Sequence, residues 1–145
     1  MDRTKTIIIF FFLLFSFSCD TFRSDELSNY EEMPKLLEGS WQLKSVSRNE
    51  IDITSTMNFS QFILHLNADG SYTMDNYLPF AVKADGEWEV DDPYYPFHLI
   101  FKENGSDNEV NLELTYPIVK GERILSVKLS PGCNKNEYIY VFEQY

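Results

Sequence analysis

Between Glu109 and Tyr116 the chain alternates without a break: Val110, Leu112, Leu114 and Tyr116 are apolar, while Glu109, Asn111, Glu113 and Thr115 are polar. Successive side chains of a strand point to opposite faces, so this run reads as a β-strand with one face in a core and one in water. Its direction is firmly set, because a one-residue slip would bury Glu109 and Glu113 without partners. The same period recurs along the chain. Trp41 and Leu43 alternate with Gln42 and Lys44. Phe62, Leu64 and Leu66 follow, then Tyr72 and Met74, Trp88 and Val90, Leu99 and Phe101, Leu125 to Leu129, and Tyr138 to Phe142. Turn signals such as Asp69-Gly70, Asp85-Gly86, Asn104-Gly105 and Lys120-Gly121 separate most of these runs. Eight short strands at regular spacing predict an all-β, antiparallel sandwich or up-and-down barrel.

Two stretches depart from the alternation. Met33 to Glu38, ahead of Gly39, is expected to form one helical turn. Arg48 to Asn58 is longer and carries Ile51 and Ile53, so it either caps one end of the sheet or adds a short extra strand.

The first 18 residues belong to neither pattern. Arg3 and Lys5 precede nine unbroken apolar residues, Ile7 to Phe15, and then Ser16-Phe17-Ser18-Cys19. A basic start, a short apolar run and small residues before a cut are the parts of a secretory signal. A nine-residue helix rises about 14 Å, roughly half of the ~30 Å needed to cross a bilayer, so a membrane span is excluded. With a cysteine at the cut and a polar segment after it, the stretch resembles the signal of bacterial lipoproteins. That resemblance implies acylation of Cys19, for instance by palmitate, cleavage before it, and an outer-membrane lipid anchor in the cell envelope. A plain secretory signal with an incidental cysteine is the competing reading. The expected organisation is a signal over 1–18, an acidic tether over 19–33 and one β domain over 34–145.

Removal of the signal takes away two of 12 basic and one of 23 acidic side chains, leaving 10 and 22 and a net charge of −12. Such a surface repels nucleic acid, so no nucleic-acid role is expected. With Cys19 acylated, Cys133 has no disulfide partner in the chain, and a domain of this size can carry its own core without one.

Leu37-Glu38-Gly39-Ser40-Trp41-Gln42-Leu43 carries Gly-x-Trp at the start of the first strand. Phe62 to Asn67 with Asp69-Gly70-Ser71-Tyr72, and Gly86-Glu87-Trp88, complete a set that resembles small bacterial lipocalin-like lipoproteins. The resemblance spans most of residues 34–145. It implies an eight-stranded up-and-down (lipocalin-like) barrel, with a short N-terminal helical turn and Trp41 plugging the floor.

Few residues suggest chemistry. His65 and His98 stand alone in sequence, and a tetrahedral metal site wants three or four ligands. Glu87, Glu89, Asp91 and Asp92 form the densest acidic cluster, but no calcium-loop spacing accompanies them. No catalytic constellation and no cofactor motif occur, so a non-catalytic, metal-free and cofactor-free protein is expected, as a monomer. Tyr94 and Tyr95, held between Pro93 and Pro96, form a candidate stacking platform. With Trp88 and Tyr72 they are the candidate ligand contacts. The first function class is therefore a small apolar or amphipathic ligand held by the barrel. The second is an acidic interaction or inhibitor protein docking a basic partner, such as a lysozyme-type enzyme. The bulk of Trp88, Phe101 and the leucines predicts a mostly filled lower barrel, with any pocket shallow and open near Tyr94-Tyr95.

Overall fold

A computed structural model describes residues 31–56, 58–76, 80–132 and 135–145, so Cys19 and Cys133 lie outside the described residues. Residues 33–145 form one compact unit. Among the described residues the strands are β1 (Gly39–Arg48), β2 (Ile51–Asp52), β3 (Ile63–Leu66), β4 (Ser71–Asp75), β5 (Gly86–Val90), β6 (His98–Glu103), β7 (Glu109–Thr115), β8 (Ile118–Val119), β9 (Glu122–Leu129) and β10 (Tyr138–Gln144). Eight of them pair antiparallel in the order β1-β3-β4-β5-β6-β7-β9-β10, and β10 closes on β1 from Trp41↔Gln144 to Arg48↔Tyr138. Of the sandwich and the barrel that the alternation leaves open, the result is the closed up-and-down barrel that the lipocalin-like resemblance implies, and closure leaves no long unpaired edge.

Up-and-down order puts alternate connections at opposite ends. The chain enters β1 at a floor end, which also carries the β3–β4, β5–β6 and β7–β9 connections. The mouth end carries the β1–β3, β4–β5, β6–β7 and β9–β10 connections. The stretch after Arg48 both extends the sheet and caps the mouth. Asn49 and Glu50, both at positive φ, turn β1 back into β2, and two 3-10 turns, Thr54–Thr56 and Phe59–Gln61, follow.

No helical turn forms over Met33–Glu38, contrary to the sequence expectation. Its backbone groups are used elsewhere. The Lys35 N–H donates to the Pro93 carbonyl at 2.7 Å, and the Leu37 carbonyl accepts the Trp41 indole N–H at 2.8 Å. One isolated helical turn has too little cooperativity to outweigh such contacts.

Trp41 and Leu43 are buried as the pattern requires, and Lys44 is exposed beside Glu143. The register of β1 against β10 then slips between Leu43 and Ser45. This bulge shifts the inward phase by one residue and turns Val46, rather than Ser45, into the core. On β7, Leu112 and Leu114 are buried while Glu109, Asn111 and Glu113 are exposed.

The lower barrel is filled. Leu37, Trp41, Leu64, Leu66, Tyr72, Phe101, Leu114, Leu125, Val127 and Phe142 are all buried in one cluster. No polar or charged residue is buried among the described residues. Each such large side chain contributes about 1.5–3 kcal/mol by leaving water. Gly86 permits the closest approach in the wall, because a Cβ there would lie 2.0 Å from the Lys102 carbonyl oxygen.

The wall is thinnest between β4 and β5, which pair only through Ser71↔Glu87 and Tyr72↔Gly86. The mouth-end connection fills the space above. Phe80 and Val82 are buried there, the Tyr72 hydroxyl donates to the Ala84 carbonyl at 2.7 Å, and Asp85 accepts the Met74 N–H at 3.2 Å. Phe80 is the hub of the upper core, its ring 5.6 Å from Phe62, 5.2 Å from Tyr140, 6.0 Å from Phe142 and 6.1 Å from Phe101.

Candidate functional site

A second weak seam in the wall creates a cleft. β7 and β9 pair only from Glu113↔Lys128 to Thr115↔Ser126. Continued toward the mouth, that register would set Val110 against Pro131, which has no N–H to offer a ladder. The strands part there, and a cleft of about 760 Å3 opens along the seam. Its inner wall is Phe80, Ala81, Val110, Leu112, Leu129, Tyr138 and Tyr140, and its polar rim is Lys83, His98, Asn111, Glu113, Lys128 and Ser130. Inward and outward residues of β7 both line it, so the cleft joins the apolar interior to the outer surface.

The aromatic wall is ordered by stacking. The Arg48 guanidinium lies 5.6 Å over the Tyr138 ring, Tyr138 stacks on Tyr140 at 6.5 Å, and Tyr140 meets Phe80 edge-on. Burial pushes the Tyr140 phenol up to about 12, with Tyr138 adding to the effect, so it stays neutral and able to donate a hydrogen bond at physiological pH. At the rim, Lys128 Nζ lies 2.9 Å from Glu113 and 3.4 Å from Glu137. The Glu113 hydrogen bond is the main cause of a raised lysine pKa, so this end of the rim remains ionic. The cleft thus offers an apolar aromatic wall behind a charged lip, an arrangement suited to holding an amphipathic molecule.

The four residues expected to contact ligand do not gather. Tyr72 is in the filled core, its phenol pushed up to about 12 by burial and then by the charges of Glu103 and Asp85. Trp88 is half-buried opposite Phe101, its indole N–H donating to the Asn67 carbonyl at 3.0 Å across the β3–β4 turn. Tyr94 and Tyr95 are exposed in the β5–β6 connection at the floor. None of the four lines the cleft, which follows the β7–β9 seam from His98 and Glu113 on the loop side to Val110 and Pro131 at the mouth, while Leu37 and Trp41 close the barrel at the floor.

Aspartates, as well as the flanking prolines, constrain the loop. Asp92 accepts the N–H groups of Tyr94 and Tyr95 at 2.7 and 3.0 Å. Asp91 accepts those of Phe97 and His98 at 2.9 and 3.0 Å and pairs with His98 Nδ1 at 2.8 Å. The His98 hydrogen bond holds the Asp91 carboxyl well below the usual carboxylate range. The acidic cluster therefore divides: Asp91 and Asp92 clamp the loop, and Glu87 and Glu89 are exposed on β5. His65 has its own partners, Ser40 at 2.8 Å and Asp75 at 3.1 Å. Among the described residues no group of three His, Cys, Asp or Glu side chains converges to hold a metal ion.

Phe80, Ala81 and Tyr140 were not singled out by sequence reasoning as ligand contacts. Pro131 was the available signal, since a proline just beyond an alternating run marks the end of a ladder.

These features define a small closed β-barrel with a packed floor and an apolar cleft through its wall at the mouth. The family described as Domain of unknown function (DUF5004) matches residues 19–143, and the chain belongs to it. No curated protein and no solved structure gives a significant match.

Proposed function

We propose that this protein is an envelope-anchored, lipocalin-like lipoprotein whose barrel holds a small amphipathic ligand in the mouth cleft. The carrying observation is the cleft itself: about 760 Å3, within the usual ~300–1,000 Å3 range of small-molecule sites, with an aromatic wall and a charged lip. The filled interior below Phe80 leaves no channel for a long acyl chain, so the ligand is a compact, ring-bearing amphiphile. Anchoring is supported by the basic-apolar-Cys19 pattern.

Native mass spectrometry of protein isolated from membranes tests both parts. The expected result is a small co-purifying molecule that is lost in Ala81→Trp, where the indole occupies the cleft, together with acyl mass on Cys19. A barrel that carries nothing and takes up no amphipathic probe overturns the binding reading. An unmodified Cys19 overturns the anchoring reading.

A further inference from the structure

The floor carries a feature that ligand binding does not use. Of the nine large apolar side chains exposed among the described residues, eight lie at the floor end, and only Ile51 on β2 is at the mouth. They come from separate stretches of chain: Leu36 before β1, Tyr94, Tyr95 and Phe97 in the β5–β6 connection, Ile118 and Val119 on β8. Backbone hydrogen bonds tie these stretches to one another or to the neighbouring wall strands β7 and β9. Lys35 donates to Pro93, Leu114 to Phe97 and Ile124 to Pro117. Two cations lie against floor tyrosines, Lys35 at 5.8 Å from the Tyr95 ring and Arg123 at 5.8 Å from the Tyr116 ring. A rim of tyrosines and long basic side chains around aliphatic tips is the composition found where protein meets the headgroup layer of a bilayer.

The chain also enters the barrel at this end. Met33 is fourteen residues from Cys19. Fully extended, such a tether reaches about 50 Å, too long by itself to decide which side of the barrel faces the membrane. The floor residues decide it.

We infer that the floor of the barrel, through Tyr94, Tyr95, Phe97, Ile118 and Val119, docks onto the interfacial layer of an uncharged phospholipid surface. The inference rests on the anchoring reading for its setting, but the affinity belongs to the folded barrel and does not need the acyl chain. Docked this way, the mouth cleft faces away from the lipid and takes its ligand from water. The acidic net charge restricts the surface to neutral headgroups, because anionic lipid repels the rest of the protein.

The test is vesicle flotation of an unacylated chain 20–145, which contains the whole compact unit 33–145. The vesicles are phosphatidylethanolamine and phosphatidylcholine, with and without phosphatidylglycerol. The chain is expected to float weakly with neutral vesicles and less well as phosphatidylglycerol is added at low salt. Tyr94→Ser/Phe97→Ser/Val119→Ser should lower the partition at least tenfold with an unchanged melting temperature, and Ile51→Ser should leave it unaltered. Should the triple variant fold poorly, Ile118→Ser/Val119→Ser is expected to show at least a threefold loss. Failure to float with neutral vesicles, floor variants that float like the parent, or floor-dependent self-association in place of lipid binding each overturns the inference. Acylation of Cys19, read separately by mass, reports on the anchor alone.

Discussion

Replacing Phe80 with alanine tests how the upper barrel is built. Phe80 belongs to no strand, yet its ring meets four other aromatic rings and separates the packed floor from the cleft. Returning such a ring to water costs about 1.5–3 kcal/mol, and an unrelaxed void raises typical Phe→Ala losses to about 3–5 kcal/mol. Here the void borders the open cleft, so water can enter it and the cost should fall near the low end, about 3 kcal/mol. Against a typical total of roughly 5–15 kcal/mol, the variant should still fold. Urea unfolding of the chain 20–145, followed by circular dichroism, measures this loss. The same substitution joins the cleft to the upper core, so an apolar fluorescent dye should bind at least threefold more tightly than to the parent. A loss below about 1 kcal/mol with unchanged dye binding would refute the assignment of Phe80 as the partition, since a buried ring cannot be removed so cheaply.

Other substitutions probe the wall and the floor. Gly86→Ala places a Cβ 2.0 Å from the Lys102 carbonyl, so β5 and β6 must separate; a loss of about 3 kcal/mol or more is expected in the same unfolding assay. Trp41→Ala should cost about 3–5 kcal/mol, while Trp41→Phe keeps most of the burial and should lose about 1–2 kcal/mol by leaving the Leu37 carbonyl without its donor. Tyr72 and Tyr140 have folded pKa values pushed up to about 12 from an ordinary 10.0, so the fold favours their neutral form. The resulting stability is fully present below pH 10 and is lost as the pH climbs toward 12. Ultraviolet titration should therefore show two tyrosines ionising late, together with unfolding, and Tyr140→Phe should reduce the alkaline destabilisation.

The strands and their inward faces follow from local sequence, because alternation acts through a period that each short segment carries by itself. Val110, Leu112 and Leu114 point inward for the same reason that Glu109, Asn111 and Glu113 point out: burying two carboxylates and an amide without partners is too costly. The bulge at Lys44 was not legible, since it depends on how β1 and β10 meet after the barrel closes. The non-helical course of Met33–Glu38 depends on Pro93, almost 60 residues away in sequence, which captures the Lys35 N–H. Phe80 sits in a connection with no alternation to reveal it, and its burial follows from the gap left where β4 and β5 stop pairing. The cleft belongs to the same category. Tyr94-Tyr95 is the more conspicuous motif, but strand order sends it to the floor, and Pro131 opens the wall only because the tertiary register sets it against β7. Periodicity encodes which face of a strand is buried. Where two strands part, and what fills or leaves the gap, is decided by pairing between residues far apart in the chain.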